Sequence, residues 1–282
     1  MKINSLVISF LILFCNHAFA QKEVAGKVLD AETKEVLPFV NIGIKETNNG
    51  TISMEDGSFS LEVPSGMEKN TVTFSCIGYQ QKGVSVLKMG SNEIILLQKE
   101  IYKLEEVVVT DTFEQLKEEK LGSYRKSRYN TGESNTGGYG VGKEYGIKIA
   151  SPGRNYVVKK VNFSLKFNTL DSVLFRINIY DISKTGWPTE SILPRQLFVK
   201  TYKKQQLVTL DVSNLNLRLD QDVIVTLEPV RLWYDPKNDN QLFYAQAKGY
   251  RGETFLRKSS LSSWLKNELP PFAIYFDVAY LQ

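Results

Sequence analysis

The sequence predicts an all-β protein: two β-sandwich domains in series, the second jelly-roll-like, joined by a short helical linker. Three observations carry this expectation. Apolar residues recur at every second position in short runs, as in Phe59, Leu61 and Val63 or Val173, Phe175, Ile177 and Ile179. Turn residues punctuate the runs, among them Asp56-Gly57, Lys184-Thr185-Gly186-Trp187-Pro188, Asp235-Pro236-Lys237-Asn238 and Lys248-Gly249-Tyr250. The composition, with 14 Tyr and 15 Phe beside frequent Val, Ile and Thr, leans toward strands. At 42% hydrophobic and 23% charged residues over 282 positions, the chain has the makeup of a folded protein of one large or two medium domains.

Residues 1–20 read as a signal peptide. Lys2 is the basic start, Leu6 to Phe14 the apolar run, and Ala18-Phe19-Ala20 a small-x-small cleavage site before Gln21. The run is too short to span a bilayer as a helix. Leu13-Phe14 ahead of Cys15 are too bulky for a lipoprotein signal, so plain cleavage is expected. Cleavage would remove His17, the one histidine, and Cys15, leaving Cys76 as the one cysteine. That excludes a disulfide within the mature chain, a His or Cys metal cluster, a Ser-His-Asp triad and a Cys-His dyad.

Residues 22–110 alternate short strands with turns. Val24, Gly26 and Val28 lead into the polar turn Asp30-Ala31-Glu32-Thr33. Val40, Ile42 and Ile44 share a face, and Asn49 to Pro64 reads as strand, two-residue hairpin turn at Asp56-Gly57, strand. Val72, Phe74 and Cys76 share the next face, which makes Cys76 a small core residue in preference to a reactive thiol. Val84 with Val86, then Glu93 to Leu97, then Leu104 to Thr110 complete the set.

Five motifs recur here in order: Gly26-Lys27-Val28-Leu29-Asp30, Leu37-Pro38-Phe39-Val40-Asn41-Ile42, Gly50-Thr51 with Asp56-Gly57-Ser58-Phe59, Phe74-Ser75-Cys76-Ile77-Gly78-Tyr79 and Leu104-Glu105-Glu106-Val107-Val108-Val109-Thr110. In these the segment resembles the carboxypeptidase regulatory-like domain family. The resemblance implies a transthyretin-like β-sandwich, an accessory module with no peptidase activity, and a cell-envelope setting. The same domain stands at the N-terminus of outer-membrane TonB-dependent receptors, where a segment like Leu104 to Thr110 precedes the plug and barrel. Too few residues follow Thr110 for both, so that segment is expected to be a final sandwich strand.

Residues 111–142 are expected to link the domains. Phe113, Leu116 and Lys117 with Glu118, Glu119 and Lys120 fit a short amphipathic helix, with Thr112 as its cap. Asn130 to Gly142 has loop composition, and Gly137 to Gly142 lacks the Lys-Ser/Thr and the following helix of a phosphate-binding loop.

Residues 143–282 form the expected second sandwich. Its strands carry Val161, Phe163, Leu165 and Phe167; Val173 to Ile179, alternating with Arg176, Asn178 and Tyr180; Val208, Leu210 and Val212; Leu215, Leu217 and Leu219; Val223, Val225 and Leu227; and Phe272, Ile274, Phe276 and Val278. A small membrane barrel shares this alternation. The uneven strand lengths and the ending Tyr280-Leu281-Gln282 favour the sandwich.

Aromatic residues in the turns of this domain, Trp187, Trp233, Tyr234 and Tyr250, are the candidate ligand-binding residues, as stacking surfaces for sugars or anchors for a protein. The alternative is that they plug the ends of the sandwich. Glu228, ending a strongly apolar strand, is a candidate buried carboxylate, solvent-facing or paired with Arg231. Asp and Glu number 31 with no distinctive pair, so no glycosidase couple stands out. Net charge of +4 without a basic, aromatic-interleaved run argues against nucleic acid.

The expected protein is therefore an exported, non-catalytic envelope component of a Gram-negative bacterium, in the periplasm or at the outer-membrane surface, without cofactor or metal. Its expected partner is a polysaccharide or an envelope protein. A structural or adaptor role beside a TonB-dependent uptake or secretion system, and a carboxylate-based hydrolase, are the alternatives.

Overall fold

The computed structural model describes residues 22–100, 117–131, 140–267 and 270–280. The signal peptide, the Leu104 to Thr110 strand, the first residues of the linker helix and the first half of the Gly137 to Gly142 stretch lie outside them.

Among the described residues the first sandwich has seven strands: β1 (Lys22–Asp30), β2 (Asn41–Ile44), β3 (Gly50–Ile52), β4 (Ser58–Val63), β5 (Thr71–Ser75), β6 (Lys82–Ser85) and β7 (Glu93–Leu97). They form a three-stranded sheet, β4-β1-β7, facing a four-stranded one, β3-β2-β5-β6. Pairing is antiparallel except between β1 and β7. The apolar residues of the alternating runs meet between the sheets: Val24, Val28, Val40, Ile42, Phe59, Leu61, Val63, Val72, Phe74 and Leu97 are buried together. Cys76 is buried with them, and burial pushes its thiol up to about 11 despite the Arg176 charge nearby.

Asn49 to Pro64 folds differently from the expected hairpin. Gly57 does hold a positive φ of 75°. The turn, however, has three residues, closed by Met54 N–H to Ser58 O at 2.7 Å and by Gly57 N–H to Met54 O at 3.0 Å. The strands it joins then part: β3 pairs with β2 and β4 with β1, so the turn carries the chain from one sheet to the other.

Among the described residues the second sandwich has fourteen strands: β8 (Glu118–Gly122), β9 (Lys126–Thr131), β10 (Glu144–Ile149), β11 (Tyr156–Asn168), β12 (Ser172–Ile182), β13 (Pro188–Ser191), β14 (Leu197–Tyr202), β15 (Leu207–Asp211), β16 (Arg218–Leu219), β17 (Val223–Trp233), β18 (Leu242–Ala247), β19 (Thr254–Arg257), β20 (Leu265–Lys266) and β21 (Ile274–Tyr280). One sheet runs β13-β12-β17-β10-β19-β20, with β14 also on β12. The other runs β8-β21-β11-β18-β9, with β15 and β16 on β11. Its core holds Phe163, Phe175, Ile177, Ile179, Val225, Leu227, Tyr244, Ile274 and Phe276.

The helix expected in the linker is a correction. Glu118, Glu119 and Lys120 lie in β8, which pairs antiparallel with β21 at the edge of a sheet. Edge position explains the difference: no residue of β8 is buried, so its sequence stays charged and lacks an alternating apolar face. Among the other expected strands, Leu215 closes a single 3-10 turn (Ser213–Leu215) instead of opening a strand.

Candidate functional site

Strands β12 and β17 each bury one face in the second core. Their other face carries Arg176, Asn178 and Tyr180 on β12 and Ile224, Thr226 and Glu228 on β17, in register. Alternation alone would leave that face to water. It is buried instead: Arg176 and Glu228 are each 2% exposed, as is Glu144 on the neighbouring β10. Two elements cover it. The segment after β19 lays Trp264 over Arg257 at 4.4 Å and against Tyr180 at 5.5 Å. The first sandwich covers the rest.

Arg176 is the centre of that seam. Its guanidinium binds Glu228 twice, from Nε to Oε2 and from Nη2 to Oε1, both at 2.8 Å. From the same fork it donates to the Phe39 carbonyl at 2.5 Å, to the Asn41 side-chain oxygen and to Gln196 Oε1 at 2.9 Å. Phe39 and Asn41 belong to the first sandwich, so one side chain of the second domain ties both together. Bidentate geometry and the remaining bonds account for all that a buried guanidinium must satisfy. Burial opposes the Arg176 charge, yet the facing Glu228 carboxylate carries the net shift upward. Burial, together with the Glu144 charge, pushes the Glu228 carboxyl above the ordinary range, while Arg176 pulls it back.

The first domain shapes itself to this seam. Phe39 sits at φ 57°, a region that disfavours residues with a Cβ by about 1–2 kcal/mol. Buried Ser53 holds it there, its Oγ accepting from Val40 N–H at 2.9 Å and donating to Leu37 O at 2.8 Å. Around it Phe39, Ile52 and Val230 pack with Leu174 and Phe198, the two Phe rings 5.3 Å apart. On the other flank the 259–262 loop presses the Ser260 carbonyl onto Gly43 and Gly50, so close that a Cβ on Gly43 would stand 2.8 Å from it. Glu46 N–H donates to Leu261 O at 3.3 Å, and Arg231 pairs with Glu55.

Glu144 anchors a second buried cluster. Its carboxylate accepts from Asn178 at 2.8 Å and Tyr180 at 2.7 Å, and also from Thr226 and Arg257. Burial works against its charge, but Arg257 and these hydrogen bonds hold its carboxyl below the ordinary range. Both carboxylates thus have their oxygens committed to protein groups. Among the described residues no group of three His, Cys, Asp or Glu is placed to hold a metal ion, and no helix is long and apolar enough to cross a membrane.

The four sequence-derived candidates do not converge. Trp187 precedes Pro188, which pairs with Ile182, while Trp233 pairs with Ser172 at the far end of β12. An 11-residue strand at about 3.3 Å per residue separates them by about 30 Å. Trp187 packs edge-on against Phe255, with centroids 6.4 Å apart. Tyr250 turns inward, its hydroxyl donating to Lys148 O at 2.6 Å, and lines a cleft of about 460 Å³ with Lys148, Asp222 and Glu253. Tyr234 follows Trp233 and is 41% exposed. Trp233 lies between two cations, Lys200 at 4.0 Å and Arg231 at 4.6 Å from its ring centre. Of the alternatives open for Glu228, the structure shows burial, with Arg176 and not Arg231 as the partner. Sequence reasoning missed Arg176, Glu144, Arg257 and Trp264. A lone Arg and a lone Glu inside strongly apolar strands were the available signal for the first pair.

Comparisons with known proteins bear on the first domain. Residues 24–109 match the family described as the CarboxypepD_reg-like domain, and the first sandwich is such a domain. The chain is similar to "TonB-dependent receptor P3" of Formosa agariphila, 34% identical over 110 residues, which is 38% of this chain and 11% of that protein. It is also similar to "TonB-dependent receptor P39" of the same organism, 32% identical over 120 residues, or 42% of this chain and 11% of that protein. The chain thus spans about a tenth of the length of these relatives. A chain described as "Structure of infectious bursal disease virus Gx strain" superposes with a TM-score of 0.23 at 9% identity, covering 94% of this chain and 61% of that one, too weak a likeness to bear on fold or function.

Proposed function

We propose that this is an exported, non-catalytic protein of a Gram-negative cell envelope, in which the CarboxypepD_reg-like domain rigidly carries a second sandwich that binds polysaccharide. The observation that carries the reading is the seam. Arg176 and its partners, the Phe39 cluster and the Ser260 contact fuse two sandwiches into one body; Glu228 is committed to that seam, and Glu144 is held by Asn178, Tyr180, Thr226 and Arg257 within the second sandwich. A hydrolase needs one carboxyl free to exchange a proton with substrate. Glu144 and Glu228 are both committed. At the far end of β12 the fused body presents aromatic and cationic side chains, Tyr202, Tyr234 and Lys200, the equipment of a binding surface.

The similarity to two TonB-dependent receptors supports an envelope address and a second reading, an adaptor docked to an outer-membrane receptor complex. Two measurements on the purified chain separate the readings. Incubation with a panel of polysaccharides should give retention with no new reducing ends. Affinity purification from envelope fractions with mass spectrometry reports a receptor partner if the adaptor reading is right. Turnover that disappears on replacing a single carboxylate would overturn the non-catalytic reading.

A further inference from the structure

The far end of the β14-β12-β17 sheet carries an arrangement that no sequence motif announces. Two cross-strand rows lie next to each other. Arg231, Leu174 and Lys200 form one, and Trp233, Ser172 and Tyr202 form the other. Cross-strand neighbours share a face. This face is the one Leu174 turns toward Phe39, so the platform abuts the first domain.

Its electrostatics are specific. The Trp233 indole has the Lys200 ammonium 4.0 Å and the Arg231 guanidinium 4.6 Å from its centre, both within cation–π range. Lys200 also lies 5.8 Å from the Tyr202 ring, which is 59% exposed. Lys203 and Lys204 extend the cationic surface into the next turn, and both are exposed. Glu55, at the turn of the first domain, pairs with Arg231 and so fixes its guanidinium beside the ring. Met54 next to it is 66% exposed.

We infer that this platform, completed by the Glu55 turn of the first domain, is a binding site for an acidic polysaccharide bearing carboxylate or sulfate groups on its sugar rings. The inference rests on the proposed binding function and narrows it to one surface and one ligand class. A neutral glycan needs a bare indole face for its C–H groups. Here cations stand over the Trp233 ring, and a neutral sugar offers nothing in return for displacing them. An anionic ring offers a C–H face for the exposed Tyr202 and a charge for Lys200, which Trp233 holds in place beneath it. Arg231, Lys200, Lys203 and Lys204 stand against Glu55 and the flanking Asp171 and Asp235, which leaves a small cationic excess centred on Lys200. The exposed Tyr202 and half-buried Trp233 rings are separated by charged and hydroxyl-bearing neighbours, which suits a sugar chain better than the contiguous apolar face of a protein anchor.

Affinity electrophoresis of the full chain tests this, with polygalacturonate and a sulfated galactan as acidic probes and dextran as the neutral one. At least one acidic polymer should retard the protein, and raising salt from about 0.05 to about 0.5 M should weaken retardation, as expected when charge contributes. Lys200→Gln, at an exposed position that does not threaten folding, and Trp233→Ala should each weaken it about tenfold or more, whereas Trp187→Ala should not. Absence of retardation by both acidic polymers, or retardation unchanged in Lys200→Gln, overturns the site. Retention of dextran that is lost in Trp187→Ala overturns it too but leaves polysaccharide binding standing. A protein captured from the envelope with no polymer retained overturns both.

Discussion

Replacing Arg176 with Met is the sharpest perturbation of the seam. Methionine matches the stem of the side chain but not its five donors. Glu228, 2% exposed, would then lie buried without its counter-charge, and the Phe39 carbonyl, Asn41 and Gln196 would each lose a charged donor. Breaking a buried pair from one side costs about 3–5 kcal/mol. Against a total domain stability of about 5–15 kcal/mol, that is a large fraction. Urea unfolding measures it, and the assay has a built-in reporter. The three tryptophans, Trp187, Trp233 and Trp264, all lie in the second sandwich. With a slope of about 2 kcal/mol per M, the midpoint should fall by about 2 M. The double variant Arg176→Met with Glu228→Leu should recover more than half of that, because it removes the stranded charge. A single-variant loss below about 1 kcal/mol, or a double variant no more stable than the single, would refute the account of the seam.

Three further outcomes follow from other parts of the fold. Gly57→Val should destabilise the first sandwich by about 1 kcal/mol or more, since φ is 75° and the new Cβ would stand 2.8 Å from Val28 O; an unchanged melting temperature would count against the turn geometry. Asp30 is held down to about 2, first by the Thr33 backbone N–H and then by Glu32 N–H, Tyr79 and Lys99, with burial opposing. A carboxyl depressed on folding stabilises fully above its unfolded value of about 3.9 and loses that contribution as pH falls toward about 2. The wild type should therefore lose stability between those values relative to Asp30→Asn; parallel pH profiles for the two would contradict the assignment. Cys76, pushed up to about 11 by burial, should react with a thiol reagent at neutral pH only after unfolding; prompt labelling of the native chain would show otherwise.

Much of the fold was legible because period-two alternation is a direct record of which face meets the core. Phe59, Leu61 and Val63, and Val173 through Ile179, are buried as their spacing says. Edge strands keep no such record. In β8 and β9 both faces meet water over much of their length, so Glu118 to Lys120 looked like a helix. The Asp56-Gly57 turn was legible, but not that its two strands join different sheets, because pairing partners are set by distant residues. The seam was least legible of all. Arg176, Asn178 and Tyr180 occupy the outward positions of β12, where polar residues ordinarily face water; docking of the first domain and the Trp264 segment together bury them. Glu228 stands out among Val223 to Val230, yet the sequence leaves solvent or nearby Arg231 as equal alternatives, while the actual partner lies fifty-two residues upstream. The aromatic turn residues were visible individually. Their separation across the length of β12 was not, nor was the pairing of Trp233 with Lys200 from a strand with no sequence proximity.

Retention and turnover measured together on one sample give the most direct test of the central claim that a fused pair of sandwiches binds an acidic polysaccharide without cleaving it. The full chain is mixed with polygalacturonate or a sulfated galactan, complex formation is read by co-elution on size exclusion, and the polymer's length is read after the protein is removed. The account predicts co-elution with polymer of unaltered length, and loss of co-elution in Lys200→Gln. Shortened polymer, or protein eluting free of both acidic polymers, would contradict it.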